Sequence, residues 1–262
     1  MRLPIYQLDS FSSQRFAGNP AAVVPLENWL ADDAMQAIAQ ENNLSETAFL
    51  VRQTSGYGLR WFTPALEADL CGHATLAAAW VVFHRLEPDR QSVGFETRWA
   101  GRLTVERRAA MLAMDFPAWP PAPIAPFAAL EQALGAVPTT LLKGKRDHLA
   151  VFETAEAVAR ISPDFRALRD LDVDGVIVTA PGGGDCDFVS RFFSPKGGID
   201  EDPVTGSAHC GLVPFWAARL GKHMLSARQI SRRGGELARA FKDERVEIAG
   251  EVVPYLEGWI EV

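Results

Sequence analysis

Four titratable residues stand in settings that could do chemistry: Glu46 in "NNLSETAFL", Cys71 and His73 in "DLCGHAT", and Asp202 in "DEDPVTGSAH". A carboxylate beside an apolar wall can be tuned to accept and return a proton, and a histidine or second carboxylate can position a substrate or act as the opposite partner. "CGHAT" (Cys71–Thr75) and "VTGSA" (Val204–Ala208) each lead into an apolar helix. A helix that begins with small residues presents unbonded N–H groups and the positive end of its dipole, which suits a carboxylate or a developing enolate. Gly72 and Gly206 would let the backbone come close to such a ligand. Each residue also has an ordinary explanation. Glu46 could be a solvated acid at a strand end, Asp202 a turn or capping residue, and His73 a first-turn residue bonded to local backbone.

The elements that must position these residues come in two similar sets. "FTPALEADLCGHATLAAAWVVF" (Phe62–Phe83) and "FFSPKGGIDEDPVTGSAHCGLVPFW" (Phe192–Trp216) share one plan: Phe, a hydroxyl residue and Pro, then acids, a small-residue turn and an apolar helix. Upstream, strand, helix and strand recur, and Ala22–Val51 can be laid on the stretch from about Ala150 without gaps. The helices, from about Gly72 to Leu86 and Gly206 to Leu220, carry bulky groups on nearly every face, so each should be surrounded rather than laid on a surface. The expected fold is therefore α+β: two pseudo-symmetric halves, each a sheet wrapped around a central helix, with a cleft between them. The expected halves are residues 1–116, with the last C-terminal strand added, and 127–262. The proline-rich stretch 117–126 reads as the linker.

Composition sets outer limits. The chain has 262 residues, 48% of them hydrophobic and 23% charged, enough for a packed core. A net charge of −7 argues against a nucleic-acid or acidic-membrane partner, because phosphate binding needs clustered Lys and Arg. No apolar run reaches transmembrane length, and the N-terminal residues lack a secretory pattern. Cys71, Cys186 and Cys210 have no paired spacing, so no disulfide framework is expected and a reducing cytoplasm is the natural setting. A zinc site from Cys71, His73, His209 and Cys210 has poor chelating spacing, and no metal is expected. Cys71 and His73 would project differently at a helix start and lack a third orienting group, against a Cys-His hydrolase. "PGGGD" (Pro181–Asp185) lacks the Gly-Lys-Ser/Thr ending of a phosphate loop.

"RFAGNPAAVV", "NLSETAFL", "DLCGHATLAAAW" and "DEDPVTGSAHCGL", in that order, resemble the PhzF-like family of phenazine-biosynthesis isomerases over nearly the whole chain. The resemblance implies a diaminopimelate epimerase-like fold: two halves, each a β-barrel around a central helix, in a homodimer. It implies a cofactor-free isomerase that moves a proton between carbons of a small carboxylate such as dihydrohydroxyanthranilate. Glu46 matches the general acid/base. His73, Asp202 and Ser207 match positions that surround the substrate and support proton transfer. Ser45, Gly72 and Gly206 would contribute hydroxyl or backbone contacts, and Asn19 and Asp69 would shape the cleft. Related racemases use one cysteine at each turn. Laying "DLCGHAT" on "EDPVTGS" sets Cys71 opposite Pro203, so the second thiol is missing. Cys71 then reads as a small buried hydrophobe, with an epimerase pairing Cys71 and Asp202, or a non-catalytic binding protein using the same residues, left as alternatives.

Overall fold

The computed structural model describes residues 1–242 and 244–262. In chain order the first elements are β1 (Arg2–Ser10), β2 (Asn19–Leu26), α1 (Asp32–Asn42), β3 (Glu46–Gln53), β4 (Gly56–Phe62), β5 (Glu67–Ala68), α2 (Gly72–Val81), β6 (Ser92–Thr97), β7 (Arg102–Arg108) and β8 (Met111–Pro117). There follow β9 (Ala122–Pro123), α3 (Ala128–Leu134), β10 (Thr140–Lys143), β11 (His148–Val151), α4 (Ala155–Arg160), α5 (Phe165–Asp170), β12 (Val176–Pro181), β13 (Phe188–Ser194) and β14 (Ile199–Asp202). The last are α6 (His209–Leu220), β15 (Met224–Gln229), β16 (Gly235–Lys242), β17 (Arg245–Gly250) and β18 (Val252–Glu261). Contacts divide the chain into two compact units, Met1–Asp115 with Ile248–Val262, and Phe116–Glu247.

The first unit is built outward from α2. Ala74, Leu76, Ala77, Ala78, Ala79 and Val81 are all buried, so the helix has no solvent face. Its run of alanines keeps the helix thin, and β2 packs most extensively against it among the strands. Strand β1 pairs antiparallel with β2 and with β18, β2 pairs parallel with β3, β3 antiparallel with β4, β4 parallel with β6, and β6 antiparallel with β7. Gly56, at the head of β4, has φ +135, and a Cβ there would sit 2.2 Å from the Gly94 carbonyl oxygen. Only glycine lets these two strands begin side by side.

The second unit repeats this order of pairings. Strand β10 pairs antiparallel with β11, β11 parallel with β12, β12 antiparallel with β13, β13 parallel with β15, and β15 antiparallel with β16. Its helix α6 is also buried, with Trp216 stacked 5.6 Å from Phe188 and bonded through Nε1 to Thr179 Oγ1 at 3.0 Å. The proline-rich stretch 117–126 is fastened to this unit. Ala118 N–H donates to the Glu244 carbonyl, Trp119 N–H donates to the Cys210 carbonyl, and β9 pairs with β10. Ile248–Val262 belongs to the first unit, where β18 pairs with β1 along its length.

The repeat is not gap-free. In the first unit Phe62 lies opposite Thr47, and Thr47 opposite Ala22. In the second, Phe193 lies opposite Val176, and Val176 opposite His148. Ala22 thus corresponds to His148 rather than Ala150, because the connections between the strands differ in length while the ladders keep their order. The Gly56→Ala variant should lose roughly 2–4 kcal/mol of stability from backbone strain plus overlap with Gly94, read by urea unfolding. An unchanged midpoint would contradict the close approach described here.

Candidate active site

Three neighbouring strands hold one histidine. Ser10 and Asn19 face each other across the β1–β2 ladder. Glu46 begins β3 one step further along, opposite Ala21. Cys71, in extended conformation, ends the approach to α2, so that Gly72 and His73 form the first turn. Ser10 Oγ donates to the His73 carbonyl at 2.8 Å, and Thr75 Oγ1 donates to the Cys71 carbonyl at 2.5 Å. The turn is therefore pinned from both sides before its ring is considered.

The imidazole is 3% exposed and meets a different group at each nitrogen. Nδ1 lies 3.0 Å from Asn19 Nδ2 and 3.5 Å from Cys71 Sγ. Nε2 lies 3.0 Å from Glu46 Oε2, off the line that a good hydrogen bond needs. Burial disfavours the charged ring, but the negative charge available from Cys71 and Glu46 overrides it and raises His73 well above its usual 6.5. Burial, then Glu46, pushes the Cys71 thiol up to about 11. Near neutral pH the Cys71 sulfur thus keeps its proton on one side of the ring, with the Glu46 carboxyl group on the other. The other carboxylate oxygen, Oε1, has no hydrogen-bond partner among the described residues, so it is available to a ligand.

The turn before α6 is organised around a second acid. Asp202 is buried, and its Oδ2 accepts a 2.5 Å hydrogen bond from Thr205 Oγ1. Gln229 is fully buried at the end of β15. Its Nε2 donates to the Asp202 carbonyl at 2.7 Å, and its Oε1 accepts from Thr205 N–H at 2.9 Å. His209 Nδ1 lies 2.7 Å from the Thr205 carbonyl and donates to it. Burial, and then the charge of Arg239, drives His209 well below 6.5, so it is a neutral strut. Gly206 and Ser207 lie in a tight turn closed by His209 N–H to Gly206 O and Cys210 N–H to Ser207 O, each 3.0 Å. The regular helix therefore begins at His209 rather than at Gly206, as the sequence had suggested.

Two corresponding hydrogen bonds correct the alignment of the turns. Thr75 reaches the carbonyl of Cys71, and His209 that of Thr205, each four residues back. Cys71 thus corresponds to Thr205, not Pro203, and His73 to Ser207. The second turn has no thiol in either alignment.

Glu46, Cys71, His73 and Asn19 are therefore one cluster in the first unit, and Asp202, Gly206 and Ser207 share one turn in the second. Ser45 is half-buried without a hydrogen bond among the described residues, and Asp69 is exposed. Ser10, Thr205 and Gln229 escaped the sequence reading. Gln229 had left a trace: in "MLSARQ" alternate residues Leu225, Ala227 and Gln229 point inward, so an amide falls where the pattern calls for an apolar residue. Glu46, Cys71 and His73 each offer a metal-ligand atom, all within 4.8 Å of one another. Sulfur meets Nδ1 and carboxylate meets Nε2, on opposite sides of the ring. One ion could not take all three without a turned ring and a lost thiol proton.

A family model described as "Phenazine biosynthesis-like protein", PhzC-PhzF, matches residues 8–258. The chain belongs to this family. An uncharacterized isomerase of Pseudomonas aeruginosa is 50% identical, covering all of both chains. A crystal structure of a PhzF-family phenazine biosynthesis protein from Enterococcus faecalis superposes with TM-score 0.96 at 46% identity, again over all of both chains. A hydroxyproline epimerase from Agrobacterium vitis, at 12% identity and TM-score 0.61, covers 99% of this chain and 92% of its own, and shares the fold alone. The PhzF-like fold is thus a mixed-sheet fold common to isomerases and epimerases. None of the described helices is long and apolar enough to cross a membrane.

NMR of the histidine rings tests this electrostatic picture. His73 should titrate above its usual 6.5, and Glu46→Gln should lower it, because burial is then opposed by Cys71 without Glu46. A raised folded value means the charged ring stabilises the fold fully below the unfolded value and ceases to do so as pH rises through the folded one. His73 titrating identically in both proteins would remove Glu46 as its partner.

Proposed function

We propose that the chain is a cofactor-independent isomerase that moves a proton between carbons of a small carboxylate resembling dihydrohydroxyanthranilate. The observation that carries this reading is the Glu46–His73 pair, a carboxylate with one oxygen 3.0 Å from a buried imidazole and the other unoccupied. Glu46 Oε1 removes the proton from carbon and returns it to another carbon of the same ligand. His73, charged, steadies the carboxylate, and Asn19 completes either ring state, since its amide nitrogen can donate to a bare Nδ1 and its oxygen can accept from a protonated one. In this reading Asp202 and the turn containing Gly206 and Ser207 position the substrate, whose developing negative charge is met by N–H groups. Ser45, Gly72 and Asp69 are kept as supporting contacts.

The raised thiol of Cys71 supports a carboxylate base over a sulfur one at neutral pH. The burial of α2 and α6 supports a further reading, that each sheet closes as a barrel around its helix, as in diaminopimelate epimerase. A homodimer is proposed from the family resemblance. The test is NMR of dihydrohydroxyanthranilate and a panel of small amino acids in D₂O. Wild-type protein should place deuterium on carbon of the true substrate, and Glu46→Gln should slow this by about 10²–10⁴-fold. Tight binding of such a carboxylate without any exchange would replace the isomerase with a binding protein.

A further inference from the structure

Strand β18 uses only one of its two edges. Among the described residues it pairs with β1 alone. At its far end Val262 N–H donates to the Met1 carbonyl at 2.7 Å, and the Met1 amino group donates back to the Val262 carbonyl. Alternate residues of an antiparallel strand turn their backbone groups to opposite sides. Ile260, Gly258 and Leu256 therefore face β1, in register with Leu3, Ile5 and Gln7. The N–H and C=O groups of Glu257, Trp259 and Glu261 point outward, and they have no backbone partner among the described residues. The same stretch is apolar and open to solvent. Trp259, Tyr255 and Leu256 are 60%, 49% and 44% exposed, and Phe16, itself 70% exposed, packs edge-on against Tyr255 at 5.6 Å. An open edge of this kind is a template for another strand.

Gly258, in the middle of this stretch, is not explained by its own chain. Its φ is not left-handed, and a Cβ there would meet only Leu256 Cδ2, at 4.0 Å. A glycine inside a strand weakens it, and it often marks a place where another backbone comes close. On the same face Ile5, Leu44, Leu256 and Ile260 line a groove of about 370 Å³. The acids on the edge are already matched within the chain. Arg85 lies 3.0 Å from Glu257, and Arg2 lies 3.8 Å from Glu261. A second strand arriving here meets an apolar surface with its charges balanced.

We propose that the open edge of β18 pairs antiparallel with β18 of a second copy of this chain, about a two-fold axis at Gly258. The proposal rests on the homodimer reading and gives that dimer its interface. Charge selects the register. An axis at Glu257 sets this acid against its own copy, and an axis at Trp259 sets Glu257 against the partner's Glu261. Like charges directly opposite each other oppose strand pairing. An axis at Ile260 leaves most of β18 unpaired. An axis at Gly258 sets Glu257 opposite the partner's Trp259 and keeps every acid away from another acid. On the other face it sets Leu256 opposite the partner's Ile260, so an apolar pair closes over each groove. The axis itself falls on the residue without a side chain, where two identical side chains would otherwise meet. One surface thus complements itself, as a two-fold interface requires.

Sedimentation of the full chain and cysteine crosslinking test this. Wild type should sediment as a dimer. In Gly258→Cys the two new thiols would stand on a directly opposed pair with Cα atoms about 4.5 Å apart, so mild oxidation should link the copies. Leu256→Cys would lie about 14 Å from its own copy and should not link. Wild type, with Cys71 and Cys210 buried and Cys186 half-buried, is the oxidation control. Trp259→Glu should associate about tenfold or more weakly than Trp259→Lys, whose ammonium would face the partner's Glu257. A dimer that links through Leu256→Cys and not through Gly258→Cys would overturn this interface and leave the homodimer standing. Equal association of the two Trp259 variants would do the same. A wild-type chain that stays monomeric at every concentration would overturn both.

Discussion

The constraint on which the first unit's site depends is the placement of a buried imidazole beside a carboxylate. His73 is almost fully enclosed, where a charged ring would ordinarily be excluded, and Cys71 together with Glu46 at 3.0 Å reverses that preference. The surrounding structure keeps this contact in place. An apolar helix fixes the first turn by burying every face behind it. Ser10 holds the turn by its backbone, Asn19 meets the ring, and the β2–β3 register delivers Glu46. Cys71 sits against the same ring yet remains a thiol, because the burial that encloses it also disfavours its anion.

Duplication explains how one chain builds two such turns, and divergence explains why they differ. The order of strand pairings is the same in both units. The side chains at matched positions are not: Glu46 matches Gly175, Ala21 matches Asp147, Cys71 matches Thr205, and His73 matches Ser207. The first turn concentrates groups that can exchange protons. The second ties its acid, Asp202, into hydrogen bonds with Thr205 and, through the backbone, Gln229, which suits holding a ligand more than titrating against it. A shared ladder can thus support different chemistry at its two copies, since backbone pairing fixes positions without fixing residue types.

The turns and their central helices were legible because they rest on local signals: small residues, Pro and acids ahead of long apolar runs. The strand order of each unit followed from the repeat. What was not legible was the depth of each partner. Ser10 ends a strand like many serines, and nothing in its neighbours announces that it holds the His73 carbonyl. Thr205 and Gln229 work through bonds that span 3 to 27 residues, set by ladder register rather than composition. The gap-free alignment of the halves failed for a related reason. Connections between strands can change length without disturbing the ladders, so residue counting drifts while hydrogen bonding stays in step.

Family membership fixes neither the substrate nor the identity of the proton carrier, and Glu46 and Cys71 both touch the same imidazole. The most direct measurement is therefore the rate of solvent deuterium incorporation into a turned-over substrate by Cys71→Ala, compared with wild type. The carboxylate account predicts a rate within about threefold of wild type, since deleting a protonated thiol removes packing but no base. A loss of about 10²-fold or more with the histidine titration intact would contradict it and make sulfur the group that handles the proton.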